Sequence, residues 1–383
     1  MHRTPVTAEG STRSMPARPA GRRPATVSLA SLALLAAGLL AACTVGASPE
    51  PSATSAPSPS PPGSAAASSP ATPTPAEPVS LRVGLGYIPS IQFAQFYLAQ
   101  QAGYYRDAGL DVTFENKIDP ELITLVASGT FDLGMADGTS LIPAVSQGIP
   151  VRYIATVYAR FPNIVFAKES SGITSAADLA GRSIGIPGKF GSSWVMLQAL
   201  LASAGLTPDD ADVVTYPDFG QGVAVQEGAV DAATGFVNNE PVQLELRGEP
   251  AVVLRVDDAV PLPGNGLIVG ADAAAAKEEA IRAFVAATLR AMEDIIADPQ
   301  LGVDATFAVV PELAADPATQ RAILDATIET WQSPYTEANG SGAIDRDGWS
   351  ASIEFMSALE GGSYVPNPVS TDDIVSEAFL PPR

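Results

Sequence analysis

The chain contains one histidine, His2, and one cysteine, Cys43. Both precede the first long globular stretch, so a body folded from later residues holds no imidazole and no thiol. This excludes Ser-His-Asp and Cys-His catalysis, His/Cys metal ligation and CxxC redox chemistry. What remains able to do chemistry is a set of hydroxyls, amides, carboxylates and aromatic rings placed just after short apolar runs. In the loop at 188–194, Gly188 and Gly191 allow close backbone approach to a ligand, and Ser192 and Ser193 stand at a helix start, where partial positive charge gathers. Phe190 and Trp194 can pack on a flat ring, although a helix cap with core aromatics would look the same. Glu240, in Asn238-Asn239-Glu240, can accept hydrogen bonds from ring N–H or amino groups, and it equally suits the first turn of a helix. Asp137 and Asn265 have the same standing. Tyr87, Tyr158, Phe93 and Phe161 can build an aromatic wall, with Phe93 better suited to a core.

These residues need a scaffold that brings loops together, and the apolar patterning supplies one. Residues 81–85 form a short apolar run, and 92–102 carry one broad apolar helical face. Residues 110–114 form a second run, so the unit reads strand–loop–helix–strand, the natural source of a parallel pair. Its loop places Tyr87, Ser90 and Gln92 at the carboxyl end of the first strand, where open α/β sheets bind ligands. The pattern recurs at 182–204. Gly129-Thr130-Phe131-Asp132 and Gly228-Ala229-Val230-Asp231 likewise share a Gly-small-apolar-Asp form between a short helix and a strand. Two similar α/β lobes are expected, with further strands at 133–136, 150–157, 213–216 and 232–236. Residues 163–167 should lead out of the first lobe and 267–270 return to it. A long helix at 278–297 and helices near 302–309, 317–331 and 348–359 supply packing.

Two near-motifs fail on inspection. Gly84-Leu85-Gly86-Tyr87-Ile88-Pro89 has proline where a dinucleotide loop needs its third glycine, and Gly188-Lys189-Phe190 lacks the Ser/Thr after lysine of a phosphate loop.

The first 79 of the 383 residues read as processing and tether rather than fold. Arg18, Arg22 and Arg23 precede the short apolar stretch 27–40, and Leu40-Ala41-Ala42-Cys43 forms a lipobox pattern. The stretch is shorter than the ~20 apolar residues of a spanning helix, so a cleaved signal with lipidation at Cys43 is expected in preference to an uncleaved anchor. Met15 is an alternative start, and Arg22-Arg23 fits twin-arginine export as well as the general route. Residues 44–79, rich in Ser, Pro, Ala and Thr, are expected to be a disordered tether. From Cys43 onward the chain has 16 basic and 41 acidic residues, a net charge of −25. Such a surface argues against nucleic acid and against direct docking on anionic lipid.

With these residues in place, the chain resembles the SsuA/THI5-like (NMT1/THI5) family of substrate-binding proteins of ABC importers. The resemblance covers roughly residues 80–300 and rests on GYIPSIQFAQFYLAQQAGYYRDAGLDV, GTFDLGMADGTSLIPAVSQGIPVRYIATVYARFPN, ADLAGRSIGIPGKFGSSW and VDAATGFVNNEP. It implies an α/β type II periplasmic-binding-protein fold, two doubly wound lobes joined by crossings near 165–170 and 266–271. The organisation is then signal 1–43, tether 44–79, first lobe 80–167 plus 270–383, and second lobe 168–269. The resemblance implies a non-enzymatic, monomeric extracytoplasmic receptor, lipid-anchored at Cys43, with an ABC permease and its cytoplasmic ATPase as partners. The ligand that the resemblance implies is a heteroaromatic vitamin or precursor, of the hydroxymethylpyrimidine/thiamine type or riboflavin. No cofactor or metal is implied. The residues expected to contact the ligand are Tyr87, Ser90, Gln92, Asp137, Tyr158, Phe190, Gly191, Ser192, Ser193, Trp194, Asn238, Glu240 and Asn265. Three alternatives stand beside this. One is an alkanesulfonate- or nitrate-type anion receptor, since a helix N-terminus suits an anion. Another is a THI5-like pyrimidine synthase, disfavoured because the body has no histidine and no free cysteine. The third is an extracellular sensor domain.

Overall fold

The computed structural model describes residues 77–116, 121–257, 262–359 and 363–382. The expected signal, Cys43 and nearly all of the tether lie outside them.

Ten described strands form two five-stranded sheets of one design. In the first, β1 (Val79–Gly84) lies between β2 (Leu110–Glu115) and β3 (Leu133–Ala136), parallel to both. Leu81 and Val83 point into the core while Arg82 stays exposed, the period-two alternation of a strand with one wet face. The second sheet repeats this with β6 (Ser183–Ile186) between β7 (Asp212–Thr215) and β8 (Ala232–Phe236). The Gly-small-apolar-Asp echo has a physical basis. Gly129 and Gly228 turn the chain with φ of 74° and 71°, a left-handed conformation that favours glycine. The aspartate that follows then pins the neighbouring strand: Asp132 Oδ2 accepts from Arg82 N, and Asp231 Oδ2 from Ser183 N, each at 2.9 Å.

Each sheet is completed by a strand running the other way. β5 (Asn163–Lys168) is antiparallel to β8 and to β9 (Ala251–Leu254), and β10 (Gly266–Gly270) is antiparallel to β3 and to β4 (Val151–Thr156). This corrects the expected crossings. Residues 165–170 and 266–271 do not span the lobes, because β5 belongs to the second sheet and β10 to the first. The chain passes between the sheets at 157–162, between β4 and β5, and again between β9 and β10 instead. Apolar patterning marks Ile164, Val165 and Phe166 as buried, which they fully are, but it cannot say in which sheet. The crossings bind each other: Asn265 O accepts from Val157 N at 3.1 Å and from Tyr158 N at 2.7 Å. They lie so close that a Cβ on Gly264 would meet Tyr158 O at 2.3 Å.

Other elements follow the sequence with small shifts. The helix expected over 92–102 is a 3-10 turn, Ile91–Phe93, followed by an α-helix, Ala94–Gln101. The long helix runs Glu278–Ala297 and stacks Phe284 on Tyr105, with ring centroids 5.0 Å apart. The helix Pro317–Trp331 packs beside both the first lobe and the helix Glu240–Leu246 of the second. The helix Arg346–Ala358 sets Trp349 edge-on against Tyr153 at 4.8 Å. Strand β9 and the short helices Ala271–Ala276 and Pro334–Asn339 have no counterpart in the sequence reading. Each is only four to six residues long, too short for periodicity to reveal it.

Candidate functional site

The carboxyl ends of the parallel strands in the two sheets face each other, and their loops enclose a cavity of about 500 Å³. This is the crevice position expected of open α/β sheets, and the size suits a small organic molecule. The first lobe contributes Tyr87 and Gln92 after β1 and Asp137 after β3. The second contributes Phe190, Gly191, Ser192 and Ser193 after β6, and Glu240 after β8. Tyr158 and Asn265 come from the two crossings.

Three expected contacts are not part of the lining. Ser90 is spent locally, capping the 3-10 turn by accepting from Gln92 N at 3.3 Å. Trp194 packs on the body of the second lobe, with the Lys189 ammonium 5.4 Å above its ring. Asn238 is fully buried behind the wall, where its Nδ2 donates to Gln92 Oε1 at 3.0 Å and to Thr327 Oγ1 at 2.8 Å. It ties together the first lobe, the second lobe and the helix Pro317–Trp331. Of the other aromatic candidates, Phe93 is buried in the first core yet reaches the lining, while Phe161 is core in the second lobe.

Other lining residues escaped the sequence reading. Phe219 follows β7 and is the non-glycine residue with positive φ, 60°, among the described residues. A backbone held in that region costs roughly 1–3 kcal/mol and persists where surroundings enforce it. Here it carries the Phe219 ring across the cleft, edge-on to Tyr87 at 5.2 Å. The rule that placed Tyr87 after β1 would have found Phe219 had it been applied to β7. Phe236 stands edge-on to Tyr158 at 6.2 Å, and Asn239 of the second lobe lines the cavity near the Tyr87 hydroxyl. Gln221 and Tyr364 also line the cavity.

The polar groups of the wall are mostly acceptors. Asp137 caps the helix Gly138–Ser146, and its Oδ1 accepts from Ser140 N at 3.1 Å and Thr139 Oγ1 at 2.6 Å. Ser192 of the other lobe lies near this carboxylate and helps to hold its charge. Burial pushes the Asp137 carboxyl up, and these donors pull it back. Glu240 Oε2 accepts from Phe236 N at 2.8 Å. Gly235 and Gly222 make room for it: a Cβ on Gly235 would lie 2.7 Å from Oε2, and one on Gly222 3.0 Å from Cγ. Enclosure raises the Glu240 carboxyl from 4.5 to about 7. Burial, with the Glu240 charge beside it, pushes the Tyr87 hydroxyl up, so it stays a neutral donor. Gln221 Oε1 and Asn265 Oδ1 are buried without a partner. Unpaired buried acceptors are costly, and a ligand bearing N–H or O–H groups would satisfy them. Among the described residues no cluster of His, Cys, Asp and Glu could hold a metal ion.

Comparison with known proteins agrees with this architecture. Residues 90–301 match the family described as NMT1/THI5 like. The chain is 35% identical over 303 residues to the riboflavin-binding protein RibY of Chloroflexus aurantiacus, covering 78% of this chain and 85% of that one. The chain belongs to the NMT1/THI5-like family. This family member is also 31% identical over 163 residues to a 4-amino-5-hydroxymethyl-2-methylpyrimidine phosphate synthase of Legionella pneumophila, covering 42% of this chain and 50% of the enzyme. Among solved structures it is similar to the alkanesulfonate-binding protein SsuA of Xanthomonas axonopodis pv. citri bound to MOPS. The TM-score is 0.62 at 20% identity, over 79% of this chain and 99% of that one. The NMT1/THI5-like chain thus has the two-lobed α/β fold of periplasmic binding proteins.

The Glu240 carboxyl makes stability depend on pH. Its folded value exceeds the unfolded one, so the folded state keeps a proton the unfolded state has lost. Its contribution is full below pH 4.5 and is lost as pH rises through about 7. The stability difference between the unaltered protein and Glu240→Gln should therefore decline by up to about 3 kcal/mol from pH 4.5 to 8. Urea unfolding of both proteins across that range measures it, and a flat difference would contradict the enclosure of this carboxyl.

Proposed function

We propose that the chain is the extracytoplasmic receptor of an ABC importer and binds a heteroaromatic vitamin or precursor in the interlobe cavity. Riboflavin is the first ligand to test, and hydroxymethylpyrimidine and thiamine are the next. The observation that carries this reading is the cavity itself. It combines aromatic rings from both lobes, Tyr87, Phe93, Phe190, Phe219 and Phe236, with unpaired or carboxylate acceptors at Gln221, Asn265 and Glu240. A fused heterocycle offers faces to the rings and N–H or O–H groups to the acceptors. Extended similarity to a riboflavin-binding protein supports the same ligand class.

Ligand contact with both lobes favours the closed arrangement by differential affinity. The contacts already made between the lobes, Asn238 to Gln92 and Phe219 edge-on to Tyr87, involve the side chains that would report closure. An enzymatic role is less well supported. The similarity to the synthase spans half of that protein, and the sequence has one histidine and one cysteine, both before residue 44. An anion receptor is disfavoured because none of the described lining residues is cationic. A monomeric receptor tethered through lipidated Cys43 and working with a permease and its ATPase completes the proposal.

Calorimetry of the purified protein should show riboflavin, thiamine or hydroxymethylpyrimidine binding at one site. Tyr87→Ala and Phe219→Ala should each weaken that binding about tenfold, since each removes an aromatic contact worth about 1–1.5 kcal/mol. Trp194→Ala, off the cavity, should leave it within about twofold. Absence of heat with all three ligands would refute the ligand class. Loss of binding in Trp194→Ala alone would show that the wrong cavity had been chosen. For the anchor, cell fractionation should find the unaltered chain in membranes and Cys43→Ala released, and equal membrane retention would refute lipidation.

A further inference from the structure

The cavity extends well beyond the facing loops. Asp137 caps the start of the helix Gly138–Ser146 and Gln147 its end, about 15 Å farther along the axis, and both line the cavity. Between them Ser140, Pro143 and Ala144 also line it, at the spacing that places residues on one helix face. This helix follows β3, so it leads away from the strand ends where Tyr87 and Glu240 stand. The cavity is thus a slot along a helix flank as well as a cleft between lobes. Its two parts differ in chemistry. The unpartnered acceptors Gln221 Oε1 and Asn265 Oδ1, with the Glu240 carboxyl, belong to the cleft. Among the described residues, no buried polar side-chain atom of the helix Gly138–Ser146 or the helix Leu122–Ala127 lacks a partner. The slot is walled by Pro143, Ala144 and Ile149, with Leu122 and Ile123 from the second of these helices. Tyr364 adds a ring from the segment 363–369, which is fastened to the end of the helix Gly138–Ser146. Ser146 Oγ donates to Asn367 O and accepts from Asn367 N, each at 3.0 Å, and Asn367 Nδ2 donates to Ser146 O at 2.8 Å. The Tyr364 hydroxyl donates to Gln198 Oε1 of the second lobe, so the slot meets its ring and not a free hydroxyl.

We propose that the slot along the helix Gly138–Ser146 is a second subsite, and that the ligand filling both parts is a heterocycle extended by an apolar fused ring rather than a single ring. The inference deepens the receptor reading above and rests on it. A single ring held by the aromatic side chains and acceptors of the cleft would leave the apolar slot wet. An apolar extension displaces that water, and its burial adds affinity in proportion to the area covered. A charged or hydroxyl-rich extension would lose its own water there without meeting partners. The same division orients the ligand: N–H and O–H groups lie at the strand ends, where acceptors stand unpaired, and the apolar edge lies along Pro143 and Ala144. The segment 363–369 is part of this subsite, because its fastening at Ser146 holds the Tyr364 ring against the slot.

The test uses ligand pairs that share a pyrimidinedione head and differ by a dimethylbenzo extension. Riboflavin and 6,7-dimethyl-8-ribityllumazine, then lumichrome and lumazine, are titrated into the purified protein, with hydroxymethylpyrimidine as the single ring. The extended member of a bound pair should bind at least about tenfold more tightly, and riboflavin more tightly than hydroxymethylpyrimidine. Ala144→Leu and Ala144→Phe, which fill the slot in two steps, should narrow the gap within the pair progressively. Equal affinity within a bound pair, or tighter binding of hydroxymethylpyrimidine than of riboflavin, overturns this inference and leaves the receptor reading intact. An unchanged ratio in both folded variants overturns the placement along the helix Gly138–Ser146. Absence of binding by all five compounds and by thiamine overturns the vitamin-receptor reading and this inference with it. The paired titration on the unaltered protein decides the ligand class even if neither variant folds.

Discussion

The structure depends on where the two crossings are rooted. Each leads straight into a strand held between two neighbours, β5 between β8 and β9, and β10 between β3 and β4. Each crossing leaves an edge strand, β4 or β9, and enters a strand held by ladders on both sides, which keeps it from peeling away there. The crossings also pair with each other through Asn265 O and the Val157 and Tyr158 N–H groups. The lobes are therefore linked by a short double hinge whose ends are fixed in the sheets. Rotation about it is the motion left to them, and it brings together the carboxyl ends of the parallel strands.

The polar chemistry of the cleft follows from that geometry. Loops at strand ends carry groups that helices begin on, so the facing loops bring helix starts, cap residues and first-turn carboxylates into one enclosed volume. Asp137 and Glu240 occupy ordinary positions for acidic residues, a helix cap and a first helical turn. Closure changes their meaning. Each now stands in a water-poor space beside aromatic rings, and enclosure shifts both carboxyls upward. Behind the wall, Asn238 does a different job. Held by Gln92 and Thr327, it couples the lining to the hinge and to the helix Pro317–Trp331. A change at Gln92 would thus be felt at the joint between the lobes.

Much of the fold was legible along the chain because its determinants are local. The runs at 133–136, 232–236 and 278–297 were bounded correctly to the residue, since alternation or helical periodicity, glycine and proline mark them. The paired Gly-small-apolar-Asp turns revealed two lobes of one design, and their aspartates do the same work in each sheet. Most lining residues were legible too, because strand carboxyl ends are where α/β folds bind, and Tyr87, Asp137, Phe190 and Glu240 all follow such ends.

By itself the sequence determined the repeated α/β units, the acidic charge, the absence of histidine and cysteine beyond Cys43, and the loops that could meet a ligand. Only the tertiary structure decided which sheet β5 and β10 join, because strand pairing is a long-range choice and a buried apolar strand suits either sheet. It alone turned Trp194 onto the lobe and Asn238 behind the wall, while Phe219 reached across to Tyr87. Side-chain direction at a loop depends on a few backbone dihedrals and on what stands opposite, and neither is encoded in spacing.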